Sequence, residues 1–337
     1  MKQIRQWGRF LLFHKRPKNV ASLLRESLSK EMLDEPLLLD HVKIEDYLMV
    51  ALEIRPCSLL TIPAEFHNGT ELGRRIDELC AEDLQAVLRA TTDKKGALIR
   101  RLKKKIREAL KRVVFTSATY EAHMNWSRKL DLRTFDVEVR PSIHELYLFK
   151  DSKIKSELRS LMRIRTATRE RVRLRMDASK RRTRLAFAEE SSPEYLVSVG
   201  KLLGYPSCCV ERYVHERLNE GASVEARASG QVEQSRKDGE EPDVYAYFVR
   251  NFFPCRPTCE NASEIGRKTF DLLSSLDPKL GGLYGRCMTN NVEMVEECPG
   301  LTKRYRAKLT KKAQRLTRTQ SDDQNNFKRY ASINWDC

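Results

Sequence analysis

Two cysteine motifs contain the residues best suited to chemistry. The first reads Gly-Tyr-Pro-Ser-Cys-Cys at 204–209, and the second reads Pro-Cys-Arg-Pro-Thr-Cys at 254–259. A cysteine thiolate binds metal ions and attacks electrophiles, and it forms most easily near the positive end of a helix. Several thiols that meet in a fold suit a metal centre ligated by sulfur. The sequence therefore predicts a metal site with four ligands, Cys208, Cys209, Cys255 and Cys259.

Two predicted helices position the first motif. Residues 191–194 (Ser-Ser-Pro-Glu) have the pattern of a helix start, and Gly204 is expected to end that helix. Ser207 is a candidate N-cap of the next helix, so Cys208 and Cys209 take its first two positions. The sequence therefore places both thiols beside unpaired backbone N–H groups.

A third predicted helix positions the second motif. Thr258 can cap this helix, which places Cys259 at its start and Cys255 one turn earlier. Between the motifs, residues 219–243 are rich in Gly, Ser, Gln, Glu and Arg. This composition predicts a long flexible excursion.

The chemistry of these thiols stays open between an iron–sulfur cluster, a zinc ion, a reactive thiol pair and structural cysteines. Consecutive helical residues point about 100° apart, so Cys208 and Cys209 need not both bind one ion, and one can be a core residue or a working thiol. Cys287 and Cys298 are reserve ligands. Ala262 stands where a CxxxCxxC radical-SAM motif requires its third cysteine, which excludes that motif.

The two motifs together resemble a known family. Leu-Gly-Tyr-Pro-Ser-Cys-Cys-Val at 203–210 and Asn-Phe-Phe-Pro-Cys-Arg-Pro-Thr-Cys at 251–259 are similar to the domain of unknown function 483 family, found mostly in archaea with some bacterial members. The resemblance covers roughly residues 145–300. It implies that the two motifs form one unit, and it implies no established activity.

Positive charge is the second signal in the sequence. The chain of 337 residues has a net charge of +16, and the excess is concentrated at 94–112, 163–184 and 303–318. Leucine and isoleucine recur every four residues in the first segment, which predicts an amphipathic helix with a basic outer face. The third segment is also predicted to be a helix, followed by a disordered tail.

The segment 163–184 alternates apolar residues with arginine, and period two is typical of a strand. A return segment to residue 188 would complete a β-hairpin with a basic face. Clustered arginine and lysine attract phosphate backbones, so we predict contact with RNA, although charged runs are often only solvated faces. The arginines assigned to nucleic-acid binding are Arg169, Arg171, Arg173, Arg175, Arg182 and Arg184.

Composition limits the class of protein. With 40% hydrophobic residues the chain can form a sizeable core, and it lacks an apolar run long enough to span a membrane or serve as a secretory signal. An odd number of cysteines without small-domain clustering is unlike a disulfide framework, so we expect a cytoplasmic protein that does not bind membranes. Cys57 and Cys80 lie in partly apolar contexts and are expected in the core.

The predicted fold is α+β and helix-rich, with a C-terminal domain in which a basic β-hairpin and several helices surround the cysteine site. Three regions are expected: a helix-rich part at 1–145, a cysteine-motif domain at 146–300 and a basic tail at 301–337. The first functional hypothesis is a metal-binding protein that engages RNA. The alternatives are a thiol enzyme acting on a small molecule through Cys208 or Cys209, and a non-catalytic interaction protein with structural cysteines.

Overall fold

The computed structural model describes residues 26–175, 188–190, 192–220 and 223–318. Within these ranges the fold is mostly α-helical with one antiparallel sheet, which confirms the helix-rich α+β class. The α-helices are α1 (Glu26–Asp34), α2 (Met49–Ala51), α3 (Gly69–Arg89), α4 (Thr92–Val113), α5 (Ala118–Lys129), α6 (Ile154–Arg175), α7 (Pro193–Leu202), α8 (Ser207–His215), α9 (Val224–Lys237), α10 (Glu260–Leu276) and α11 (Pro278–Arg318). The strands are β1 (Cys57–Ile62), β2 (Arg133–Arg140) and β3 (Ile143–Phe149). Shorter helical segments are the π-helices Val42–Leu48 and Glu216–Glu220 and the 3₁₀ turn Val244–Tyr247.

The sheet has the order β1-β3-β2, and both pairs are antiparallel. The central strand β3 is buried on both faces because side chains alternate along a strand. Leu146 and Leu148 pack in the larger core on one face, and Tyr147 and Phe149 pack against α6 and α7 on the other. The sheet therefore lies between two layers of helices.

The larger core joins the N-terminal helices to the sheet. Leu102, Ile106 and Leu110 form a buried stripe on α4, which confirms the amphipathic helix predicted at 94–112. Leu280 and Tyr284 of α11 pack in the same core as α3, α4 and α5. The division of the chain into three regions stays a prediction.

A smaller core lies beside the cysteine motifs. Its buried residues come mainly from α9, the 3₁₀ turn, α10 and α11, and they include Cys209 and Cys259. Gly266 of α10 lets this helix approach the 3₁₀ turn closely, since a Cβ at this position would lie 2.2 Å from the Tyr245 carbonyl oxygen. Backbone packing thus fixes α10, which follows the second cysteine motif, against the 3₁₀ turn, which comes before that motif.

The strand predicted at 163–175 is wrong, because these residues belong to helix α6. The buried positions of α6 recur at helical spacing as Ile154, Leu158, Leu161, Arg165 and Thr168. Two of these positions are polar, so the helical stripe is invisible when apolar residues alone are counted. Residues 176–187, which include the predicted turn and most of the return strand, lie outside the described part of the chain.

The flexible excursion predicted between the motifs is also wrong over most of its length, because α9 occupies Val224–Lys237. The Ser223 hydroxyl accepts a hydrogen bond from the Ala226 backbone N–H and caps this helix. Val224, Ala228 and Val232 form a narrow buried stripe at four-residue spacing. Small apolar side chains on one face are therefore enough to pack a helix against the core when its other faces are polar.

The basic segment 303–318 is helical, as predicted, and it is the end of the long helix α11. Cys57 and Cys80 are buried in the core, as predicted. None of the helices in the described ranges has the length and hydropathy of a membrane span.

Candidate metal centre

Aromatic packing brings the two cysteine motifs together. Tyr205 comes three residues before Cys208, and Phe252 comes three residues before Cys255. The centroids of the Tyr205 and Phe252 rings are 4.9 Å apart, and Phe248 packs on Phe252 with centroids 4.8 Å apart. Such tilted ring pairs add stabilisation beyond the apolar area that they bury. The approach to each motif is thus part of one aromatic cluster.

The first motif is also held by the N-terminal part of the chain. Gly204 has a φ of +74°, which ends α7 as predicted, and a Cβ at this position would lie 2.9 Å from Pro56 Cδ. Arg55 donates from Nε to the Leu203 carbonyl and from Nη1 to the Glu45 carbonyl, both at 3.0 Å. A glycine is required here both for its backbone angle and for this close approach.

Each thiol lies close to its predicted place on a helix. The helix α8 begins at Ser207, so Cys208 and Cys209 are the second and third residues of its first turn. Cys259 is the N-cap residue of α10, one position after the predicted cap Thr258. Cys255 lies in the loop before it.

All four sulfur atoms converge. The Sγ atoms of Cys208, Cys209, Cys255 and Cys259 lie within 4.8 Å of one another. The Sγ of Cys259 is 3.7 Å from that of Cys208 and 3.6 Å from that of Cys209, and the two adjacent cysteines are 3.9 Å apart. The adjacent cysteines therefore point to the same centre, despite the 100° between their helix positions.

These distances fit one metal ion. Zinc binds thiolate sulfur at about 2.3 Å in a tetrahedron, which places the sulfur atoms about 3.8 Å apart. Cys209 and Cys259 are buried, while Cys208 and Cys255 are partly exposed. The group therefore has an apolar inner side against the smaller core and an outer side open to an incoming ion.

Two N–H groups donate to the sulfur atoms. Asn261 Nδ2 donates to Cys208 Sγ and the Cys255 backbone N–H donates to Cys209 Sγ, both at 3.4 Å. The backbone N–H of Cys209 itself bonds the Pro206 carbonyl, so the two donors to these sulfur atoms come from the second motif and from α10. Such hydrogen bonds orient ligands and stabilise the negative sulfur.

The thiols differ in acidity. Burial raises the pKa of Cys209 far above its usual range, and burial followed by the contact with Cys259 raises the pKa of Cys255 to about 11. Burial of the Cys208 thiol acts to raise its pKa, but hydrogen bonds from Asn261 and from the neighbouring thiols together act more strongly in the opposite direction. The net effect is that the pKa of Cys208 is lowered. Metal binding at this group would therefore release protons.

A buried ion-pair network fixes the loop of the second motif against α8. The Glu216 carboxylate is almost fully buried and accepts from Arg212 Nε and, at 2.9 Å, from Arg227 Nε. Arg227 also donates from Nη1 to the Pro254 carbonyl at 2.8 Å. One guanidinium of α9 thus connects the end of α8 to the residue before Cys255.

The other residues singled out in the sequence lie apart from this group. Cys287 is buried in the larger core, and Cys298 is partly exposed on α11. Arg169 pairs with Glu189 at 2.8 Å, and Arg171 is exposed on α6. The side chains of Arg173 and Arg175, and the whole of Arg182 and Arg184, lie outside the described part of the chain.

Three residues that support the site were not identified from the sequence: Asn261, Glu216 and Arg227. Asn261 follows Cys259 by two residues on a capped helix, so its position alone was a usable signal. Glu216 and Arg227 pair across two helices. Since one of those helices was predicted as a flexible excursion, no local pattern indicated this pair.

The comparisons agree with the resemblance in the motifs. Residues 135–277 match the family model described as a protein of unknown function, DUF483, which confirms the resemblance over this part of the chain. A curated relative, the uncharacterized protein MJ1106 of Methanocaldococcus jannaschii, is 27% identical over 89 residues, which are 24% of this chain and 46% of that protein. The chain thus spans about half the length of this relative. No solved structure matches the chain.

The Arg227 network predicts a specific loss of stability. In Arg227→Ala the buried Glu216 carboxylate keeps Arg212 as its one guanidinium partner in the described part of the chain, and the Pro254 carbonyl loses the Arg227 donor. We expect the free energy of unfolding to fall by about 2 to 3 kcal/mol in urea titrations followed by circular dichroism. The matched control is Lys237→Ala on the same helix, which removes an exposed pair with Glu233 and should cost less than about 1 kcal/mol. Equal losses in the two variants would contradict a positioning role for Arg227.

Proposed function

We propose that this protein binds one zinc ion through Cys208, Cys209, Cys255 and Cys259. The observation that supports the proposal is the spacing of the sulfur atoms, which at 3.6 to 3.9 Å for three of the pairs matches the edge of a zinc–thiolate tetrahedron. A second support is chemical, because four soft thiolates in tetrahedral array are the ligand set that selects zinc or iron among the common metals.

A single ion is favoured over an iron–sulfur cluster on the same geometry. In a cluster the four thiolates bind different iron atoms. Thiolates on different irons stand farther apart than the edge of a one-ion tetrahedron. Here all four sulfur atoms lie within 4.8 Å. Of the single ions, zinc suits a site that is closed by four protein ligands and does no redox chemistry.

The proposed role of the ion is structural. It would join the first turn of α8 to the loop that leads into α10, two segments that are far apart in the chain. Four protein ligands leave no open position for a substrate, as in other structural zinc sites. We also assign the protein to the cytoplasm, where a reducing environment keeps such thiols available for metal.

The zinc proposal predicts metal content that depends on particular cysteines. Protein purified without added metal should contain about one zinc per chain by elemental analysis, and Cys259→Ser and Cys209→Ser should each lose at least about nine tenths of it after dialysis against a chelator. The matched control Cys80→Ala removes a buried thiol from α3, outside the site, and should retain the zinc.

Other results would replace this proposal. Iron with visible absorption would indicate a cluster or an iron–thiolate centre. A metal-free protein with one rapidly alkylated thiol at Cys208 or Cys209 would favour the alternative of a thiol enzyme. Full zinc content in both serine variants would place the metal elsewhere.

We also propose that the protein binds RNA, through a surface that does not include the arginines predicted from the sequence to bind nucleic acid. Arg100, Lys104, Arg107 and Lys111 are exposed on α4 at spacings of three and four residues, which places them on one face over about 16 Å of helix. Arg107 pairs with Glu138 and Lys104 lies 3.9 Å from Glu108, while Arg100 and Lys111 form no ion pair with another residue of the described ranges. A row of exposed cations suits the evenly spaced phosphates of a nucleic-acid strand.

The RNA proposal predicts a loss of salt-dependent binding. The variant Arg100→Ala/Lys104→Ala/Lys111→Ala should bind a single-stranded RNA 20-mer at least tenfold more weakly in fluorescence anisotropy. Its slope of log affinity against log salt should be shallower by about 2, at about 0.7 per lost phosphate contact. The control Arg74→Ala/Lys237→Ala/Lys268→Ala removes the same charge from other helices and should keep most of the affinity. The surface is wrong if wild-type protein does not bind or if both variants weaken binding equally.

A further inference from the structure

A cavity of about 340 Å³ lies next to the cysteine group, between α7, α8 and the middle of α6. One of its walls includes Cys209, so the cavity and the proposed zinc site share a side. Its volume is in the lower part of the range for small-molecule sites. It would hold roughly eleven water molecules at about 30 Å³ each, which is enough room for a compact organic molecule.

Most of the wall is apolar. Leu196 and Val199 of α7 and Leu203, the residue after this helix, line the cavity together with Val210 of α8, and Phe252 lines the side towards the second cysteine motif. The Phe252 ring is held there by its contacts with Tyr205 and Phe248. This part of the cavity suits an aliphatic or aromatic body and offers it little hydrogen bonding.

The rest of the lining includes a connected group of charged residues. These are four carboxylates and two guanidinium groups: Glu145, Glu189, Glu190, Glu225, Arg165 and Arg217. The hydroxyl-bearing rings of Tyr195 and Tyr213 also line the cavity, each under one of these guanidinium groups. A ligand with a polar head and an apolar body would match this division.

Most of these charges neutralise one another. Arg165 donates to both oxygens of Glu145 at 2.7 and 2.8 Å and to Glu189 at 2.9 Å, and Arg169 adds a second pair to Glu189. Arg217 donates to Glu225 at 3.0 Å. Four carboxylates thus face three guanidinium groups.

Among the described residues, Glu190 is the carboxylate of this group that accepts no hydrogen bond from a guanidinium. In the described part of the chain its closest guanidinium nitrogen, on Arg217, is 3.9 Å away, which is within ion-pair range but beyond hydrogen-bond distance. Its side chain is 37% exposed, so a ligand in the cavity could reach it. Burial and, to a lesser extent, the neighbouring carboxylates Glu189 and Glu225 raise the pKa of Glu190, while Arg217 lowers it.

We propose that this cavity binds a small organic cation, a primary amine on an aromatic or apolar body, with the ammonium group paired to Glu190. The ammonium would neutralise this carboxylate, and the body would fill the space between α7, α8 and Phe252. A carboxylate ligand is disfavoured because it would bring a second negative charge close to Glu190. The proposal goes beyond metal binding and does not depend on which metal the cysteines hold.

Three probes of similar size test the proposal on the full chain. Tyramine, tyrosol and 4-hydroxyphenylacetate share one aromatic body and carry an ammonium, a hydroxyl and a carboxylate group. In calorimetric titrations we expect tyramine to bind at least tenfold more tightly than tyrosol, and 4-hydroxyphenylacetate to show no binding. Glu190→Gln should weaken tyramine binding at least fivefold.

Two further variants separate the site from the fold. Glu194→Gln changes an exposed glutamate of α7, four residues after Glu190, and should leave tyramine binding unchanged. Val199→Trp fills the apolar part of the cavity and should abolish binding while the circular dichroism spectrum is retained. The proposal is overturned if none of the probes binds, if 4-hydroxyphenylacetate binds as tightly as tyramine, or if Glu190→Gln binds tyramine like the wild type.

Discussion

The convergence of four sulfur atoms within 4.8 Å is the constraint on which the C-terminal part of this fold depends. Two of these atoms come from one turn of α8 and two from the loop and cap before α10, so the position of one segment fixes the other. The aromatic contact between Tyr205 and Phe252 joins these same two segments, and so does Arg227, which pairs with Glu216 at the end of α8 and donates to the Pro254 carbonyl. A metal ion at the centre of the four sulfur atoms would add a third, stronger connection between segments that are already aligned.

Buried charge organises the structure around this centre. Arg165 and Glu216 are both nearly inaccessible, and each is compensated by two partners of opposite sign. Full pairing is what such groups require, since an unpaired buried charge costs several kcal/mol. Glu190 is less closely paired, since Arg217 is 3.9 Å away and 37% of the Glu190 side chain is exposed, and it lines the same cavity as Cys209.

The convergence of the four thiols could be predicted from the sequence, whereas the helices around them could be predicted only in part. Cysteine motifs at capped helix starts can be recognised locally, because proline, serine and threonine have known positions at helix ends. The helix α6 was misread as a strand because its buried stripe continues through Arg165 and Thr168, which count as polar until their partners are known. The helix α9 was missed because three small apolar contacts are enough to seat it. Both errors have one physical cause: tertiary partners decide whether a polar residue or a short apolar side chain can face a core.

X-ray absorption at the zinc edge of the protein as purified tests the central claim most directly. A single zinc bound by Cys208, Cys209, Cys255 and Cys259 predicts one shell of four sulfur atoms at about 2.3 Å, without nitrogen or oxygen ligands and without a nearby second metal. A mixed shell with nitrogen or oxygen, or scattering from a neighbouring metal atom, would contradict the one-ion tetrahedron that the sulfur spacing supports.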